Sequence, residues 1–330
     1  MVDNRCDHPD ISVALATRDG GRFVAEQLTS ILTQSVRPTE IILSDDDSSD
    51  DTVAIARRTI GDQIPLTVLI NRPPLGVTAN FAQAVGASAG SLIALCDQDD
   101  RWYPNRLATI LEVFERRPEV SLVHSDARLV DDDGAPLDEL LLDALELSAG
   151  DRGLIHSGRA SEVLLRRSVV TGATTVFRRS LLEVALPFPQ GWVHDEWLAT
   201  LASMVGTVAL IEQPLVDYRQ HAANEIGARR PTLRQKIRKV LTEPRTARNA
   251  RLESNYRSLV DRLDQLGSAV PPPQNDAARS KLAHEVARSR LPTSRVHRIG
   301  PVLGELRRGA YRQFGHGWQD VARDLLQPAR

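Results

Sequence analysis

Four short apolar runs alternate with helix-like segments over the first hundred residues, and each run ends in a polar or acidic cluster. The runs are Ile11–Ala16, Glu40–Ser44, Leu66–Ile70 and Leu92–Cys96. Between them, residues 23–35 carry Val24, Leu28, Ile31 and Leu32 at helical spacing. Residues 52–60 read as a helix, and 77–87 as another with Phe81 and Val85 inward. A further helix is expected over 104–117. This alternation predicts an α/β fold: a mostly parallel sheet with right-handed crossovers, flanked by helices. Ligands in such sheets gather at the carboxyl ends of the strands. Here those ends carry Thr17, then Asp45 and Asp46, then Asn71 and Arg72, then Asp97 and Asp99.

The last cluster is the most demanding. An apolar run that stops directly in Asp97-Gln98-Asp99-Asp100 crowds three carboxylates at one strand end, where like charges repel. A divalent cation carrying a diphosphate would relieve that repulsion. Oxygen ligands suit Mg²⁺ or Mn²⁺, which bind one or two carboxylates plus substrate phosphates. The competing reading is a solvated acidic turn.

Beyond residue 119 the pattern loosens. Residues 120–124 and 171–177 read as strands, 179–185 and 192–203 as helices, and 209–211 and 215–219 as edge strands. Asp131–Gly134 reads as a hairpin or turn, an acidic surface turn first, and 137–170 as helices and loops. Helical runs follow at 232–242, 245–266 and 275–290, interrupted by Pro271-Pro272-Pro273. The small net charge of −2 hides an asymmetry. Residues 228–330 hold 22 Lys and Arg against 9 Asp and Glu, while residues 1–227 hold 19 against 34. The domain expectation is therefore a body of 1–227 and a basic helical extension of 228–330. The two cysteines, Cys6 and Cys96, make no disulfide framework. No apolar stretch has the length of a membrane span, and the polar N-terminus lacks a signal-peptide core. The chain reads as cytoplasmic.

Seven ordered segments together resemble the GT-A glycosyltransferases of family 2, most closely their bacterial rhamnosyltransferase-like branch. The opening strand to Thr17 is one, and Glu26-Gln27 through Gln34 another. Ser44-Asp45-Asp46 with Ser48 and Asp50 matches the family's Asp-Asp-Gly-Ser-x-Asp, with Asp47 where Gly is usual. Asn71-Arg72 with Asn80-Phe81, Asp97-Gln98-Asp99-Asp100-x-Trp102, His194-Asp195-x-Trp197 and Tyr218-Arg219-Gln220-His221 complete the set. The resemblance covers about residues 9–227, with a nucleotide-sugar half to about 125 and an acceptor half after it.

The resemblance implies an inverting transferase that moves a sugar, rhamnose from dTDP-rhamnose in that branch, to a saccharide or lipid-linked glycan acceptor in surface polysaccharide synthesis. It puts Thr17, Asp46, Arg72 and Asp97 along the nucleotide. Asp45 could accept from base or ribose, against a reading of Asp45 and Asp46 as a helix-capping cluster. It gives Asp99 as direct ligand of Mn²⁺ or Mg²⁺, Asp97 as ribose partner or ligand through water, and His221 on the metal. Asp195 is the implied general base, with His194 and Glu196 as competitors. Against the base stands the bland reading, acids placed at a helix N-terminus where the dipole favours them. Trp192 and Trp197 could stack on sugars or fill the core. Thr171-Gly172-Ala173 could line the acceptor pocket. The basic extension suits anionic lipid headgroups at the inner membrane face, or a second copy of the chain, or a cap on the acidic body.

Other classes fit less well. A phospho-receiver domain needs a lysine at a late strand end, and residues 1–227 contain none. Nucleic-acid binding is disfavoured by the acidic body and an extension poor in aromatics. A non-catalytic nucleotide-sugar-binding relative, or a transferase using a UDP- or GDP-sugar, are the alternatives to the rhamnosyl reading.

Overall fold

The computed structural model describes residues 9–220 and 244–329. The first half follows the alternation in the sequence: β1 Ile11–Thr17, α1 Val24–Leu32, β2 Glu40–Asp45, α2 Thr52–Ile60, β3 Leu66–Ile70, α3 Val77–Ala87 and β4 Leu92–Cys96. Then come β5 Arg101–Trp102, α4 Arg106–Arg116, β6 Val120–Val130 and β7 Pro136–Leu140. Three short helices, α5 Leu141–Ala144, α6 Ala149–His156 and α7 Ala160–Leu164, lead to a 3₁₀ turn at Gly172–Thr174 and β8 Thr175–Arg178. Helices α8 Leu181–Ala185 and α9 His194–Val205 precede β9 Thr207–Arg219. The C-terminal region is helical: α10 Arg245–Leu266, α11 Pro272–Ser289, α12 Arg295–Arg307, α13 Ala310–Phe314 and α14 Trp318–Leu326.

The strands form one sheet in the order β3-β2-β1-β4-β8-β6-β9-β5, with β7 paired to β6. β3, β2, β1 and β4 are parallel, as are β6 and β9. β8 is antiparallel to both neighbours, so the sheet is mixed at its centre. Successive residues of a strand face opposite sides, and β1 shows it: Val13 and Leu15 pack with α1, α2 and α4, Ala14 and Ala16 with α3 and α9. β4 is buried along its whole length, as expected for a strand covered on both faces.

Several expectations are corrected. The segment 171–177 begins as a 3₁₀ turn and becomes strand only at Thr175. The two edge strands at 209–219 are one irregular strand lying between β6 and β5. The stretch 137–170 opens with a strand, β7, rather than a loop. Cys96 is a free, buried thiol; Cys6 lies outside the described residues, as does the helical run 232–242.

The C-terminal helices dock against the sheet domain. Tyr256, Leu259 and Leu263 of α10 and Ala278 of α11 share a hydrophobic cluster with Phe81, Trp192 and Trp197. Three of the region's arginines lie inside it. Arg245, Arg288 and Arg298 are nearly fully buried, with Arg288 held by Glu285 and by Asp324 at 2.7 Å. Among the described residues no helix is long and apolar enough to cross a membrane.

Candidate active site

The carboxyl ends of β1, β2 and β4 are tied together by their own polar side chains. Thr17 Oγ1 donates to Asp45 Oδ1 at 2.8 Å, and Ser48 donates to both Asp45 oxygens. Asp46 accepts from Asn71 Nδ2 at 3.2 Å and from the main-chain N–H groups of Leu75 and Gly76 at 2.7 and 2.8 Å. Both aspartates are buried. Asp46 therefore fixes the loop leading into α3, whose first turn needs Gly76 at φ 84°. Neither aspartate caps α2; Asp50 instead accepts from the main-chain N–H of Thr52. Arg72 is largely exposed, 3.5 Å from Asp47, and has no described contact with the other predicted site residues.

The Asp97–Asp100 turn is locked on two sides. Gln98 pairs with the main chain of Arg18 through two bonds of 2.9 Å. A side chain at Gly20 would collide with it, since a Cβ there would lie 2.1 Å from Gln98 Oε1. On the other side, Asp100 Oδ1 accepts from the main-chain N–H of Arg219 at 3.1 Å, and Arg219 Nε donates to the Asp99 carbonyl at 2.8 Å. Asp100 thus joins the end of β4 to the end of β9 rather than capping α4. Arg219 continues to Glu26 at 2.7 Å and to the Asp132 carbonyl at 2.9 Å.

Asp97 and Asp99 remain half-buried at the edge of the sheet. Loss of bulk solvent, and then the charges of Asp99 and Asp195, push the Asp97 carboxyl up to about 8. Among the described residues the cation bearing on it is Arg106, fully buried with its guanidinium 3.8 Å over the Trp102 ring. Burial pulls Arg106 down to about 10, against the support of Cys96, Asp100 and Asp97, so it stays charged at neutral pH. Tyr218 is raised above the ordinary phenol range by burial and by all four of Asp97, Asp100, Asp99 and Asp195. That shared neighbour brings the two predicted carboxylate sets, from β4 and from α9, to one place.

At the start of α9, Gly172 N–H donates to Asp195 Oδ2 at 2.8 Å, and the main-chain N–H of Glu196 donates to Oδ1 at 2.7 Å. The neighbours point elsewhere. His194 is buried and stacked on Phe81 at 3.9 Å. Glu196 is pushed up to about 6 by burial and Asp195, and is supported by Arg251 and Lys281 of the C-terminal helices. Of the three, Asp195 is the one whose charge bears on Asp97. Trp192 and Trp197 are both core: their Nε1 atoms donate to the carbonyls of Asn255 and Ala185. Neither offers a face to a sugar.

The donor set suits a hard divalent ion. Asp97 and Asp99 supply oxygens in a site short of positive charge. Among the described residues no three His, Cys, Asp or Glu side chains form a metal-holding group, and His221 lies outside them. Two carboxylates completed by substrate phosphates match how Mg²⁺ and Mn²⁺ are usually held. Sequence reasoning missed Arg106, which looks like an ordinary position of an amphipathic helix, and left Tyr218 without a role.

The model of glycosyl transferase family 2 matches residues 12–185, more than half of the chain. The chain belongs to that family. Its match to an uncharacterized glycosyltransferase of a Nostoc species is 26% identical over 223 residues, 65% of this chain and 66% of the relative. An uncharacterized protein of Mycobacterium tuberculosis is 27% identical over 224 residues, 64% and 59% of the two chains. The match thus spans 66% and 59% of the length of these two relatives. Among solved structures, Staphylococcus aureus TarS 1–349 with UDP-GlcNAc aligns with a TM-score of 0.58 at 12% identity, covering 95% of this chain and 90% of that one. Mannosyltransferase PcManGT from Pyrobaculum calidifontis, in complex with GDP-Man and Mn²⁺, gives 0.52 at 18% identity, covering 96% and 85%. The shared fold is GT-A, with a mixed sheet flanked by helices and a helical C-terminal region.

Proposed function

We propose that this family 2 member transfers a sugar from a nucleotide-diphosphate donor to a hydroxyl of a saccharide or lipid-linked glycan, with inversion and with help from Mn²⁺ or Mg²⁺. The observation that carries the reading is the set of carboxylates at the sheet edge: Asp97 and Asp99 follow β4, Asp195 lies in the first turn of α9, and the charges of Asp99 and Asp195 both bear on Asp97. Asp99 is the direct metal ligand in this reading. Asp97 lies beside it, reaching metal or ribose, and Thr17, Asp45 and Asp46 shape the nucleotide cleft, the last two chiefly by holding its loops. Arg72 is exposed enough to meet the donor. His221 comes two residues after the end of β9 in the sequence and is the third candidate ligand.

Asp195 is the base. Two main-chain N–H donors orient its carboxylate. The acceptor oxygen attacks the anomeric carbon as the bond to the diphosphate breaks, and Asp195 takes the acceptor proton. One displacement needs no covalent enzyme intermediate. A divalent cation held by Asp99, with Asp97 beside it, would supply electrostatic relief for the charge that builds on the departing diphosphate. Arg106 supplies part of the same relief from beneath the site.

The donor is decided by thermal-shift screening with Mn²⁺ and Mg²⁺, comparing dTDP-rhamnose with UDP- and GDP-sugars. The motifs favour dTDP-rhamnose. Stabilisation by none of these donors with either ion would overturn the reading.

A further inference from the structure

Helix α12 is built the wrong way round for a surface helix. The face it turns to the protein carries Arg298, Val302 and Glu305; the opposite face carries Val296, Ile299 and Leu303. At 100° per residue those three fall within a narrow arc, and they are 73%, 49% and 41% exposed. Arg298 is buried instead, donating to the carbonyls of Pro292, Thr293 and Gln327. The neighbouring helix α14 repeats the pattern, with Trp318 73% and Leu326 46% exposed. The two helices pack through Val302, Leu306, Val321 and Leu325. They run antiparallel, because Arg298 near the start of α12 meets carbonyls at the end of α14.

The charges around this face are one-sided. Between residues 290 and 329 the only acids are Glu305, Asp320 and Asp324. Glu305 pairs with His284 and Arg308, and the two aspartates are fully buried. Arg290, Arg295, Arg307, Arg308 and Arg312 are all exposed. Basic side chains flanking an apolar, tryptophan-bearing helical face are the composition of a helix that lies in a membrane interface.

We propose that α12 and α14 form a docking face for an anionic lipid bilayer. The apolar stripe enters the headgroup boundary while the arginines meet the phosphates. A second copy of the chain is the less favoured occupant, because pairing this face with itself would oppose like charges.

The test is sedimentation of the full chain with phosphatidylglycerol–phosphatidylcholine vesicles and with pure phosphatidylcholine vesicles. Strong binding to the first, weak binding to the second, and loss on raising salt from about 0.1 M to about 1 M are expected. The paired change Arg307→Gln and Arg308→Gln should weaken binding roughly fivefold per arginine. Ile299→Asp with Leu303→Asp should abolish it. These positions are exposed, so an unchanged melting temperature shows that the variants fold. Absence of binding, equal binding by the Asp variant, or a dimer in analytical ultracentrifugation that the Asp variant dissociates would overturn the proposal.

Discussion

The main-chain N–H of Gly172 donates to Asp195 Oδ2 at 2.8 Å. This bond couples the 3₁₀ turn before β8 to the first turn of α9. It also explains the glycine: a Cβ at 172 would lie 2.9 Å from His194 Nε2 and 3.7 Å from Asp195 Oδ2. The carboxylate is aimed by main chain, so its orientation depends on the backbone at 172.

Asp195→Asn should lower transfer by about 10³-fold while leaving donor affinity nearly unchanged. Gly172→Ala should lower turnover less, at a stability cost of about 1–3 kcal/mol from the forced contact with His194. Calorimetric donor titration beside initial rates separates the two effects. Full activity in Asp195→Asn would falsify the base assignment.

Asp99→Ala should remove the gain in nucleotide affinity that Mn²⁺ brings, with little change in affinity measured in chelator. Isothermal titration with and without the ion reads this directly. An unchanged gain in the variant would move the metal elsewhere.

Arg106→Met should destabilise the fold by about 3 kcal/mol near pH 9, where Asp97 is ionised, because it leaves that carboxylate and Asp100 crowded without their buried cation. The deficit should shrink as pH falls through about 8 and Asp97 takes up its proton. Urea unfolding at pH 6 and pH 9 gives the comparison. A loss that is the same at both values would mean that packing on Trp102, not charge, is what Arg106 contributes.

His124 predicts an acid-side loss of stability. Burial, with a smaller push from His156, lowers its ring to about 4 from the ordinary 6.5. The unfolded chain then binds the proton more readily than the native one between those values. Stability from this residue is complete above about pH 6.5 and falls as pH drops toward 4, by about 3 kcal/mol in all. His124→Leu should flatten that slope in melts between pH 4 and pH 7. A slope unchanged in the variant would assign the acid sensitivity to other groups.

The first half of the fold was legible because local pattern and burial agree there. Helices 52–60 and 77–87 and strands 66–70 and 92–96 have the bounds expected from periodicity alone, as does the long helix 245–266. β5 was not legible: two residues become strand only by pairing with Val216 and Asp217. Nor was the direction of β8, which depends on where the excursion through β7 and α5–α7 returns the chain. The site follows the same division. Acids at strand ends announce themselves, whereas Arg106 becomes a site residue only when the turn buries it beneath Asp97. The tryptophans were ambiguous in sequence, and the C-terminal helices that cover Trp192 decided the matter.

That cover has a consequence for how such chains diversify. The family match ends at residue 185, ahead of Asp195, and Tyr256 packs edge-on to Trp192 at 5.5 Å. Glu196, next to Asp195, takes its compensating charge from Arg251 and Lys281. A chimaera cut at the end of the match would graft α9 onto foreign helices. Exchanging the C-terminal third of this chain for that of a relative would change the packing beneath α9 together with the charges that support Glu196.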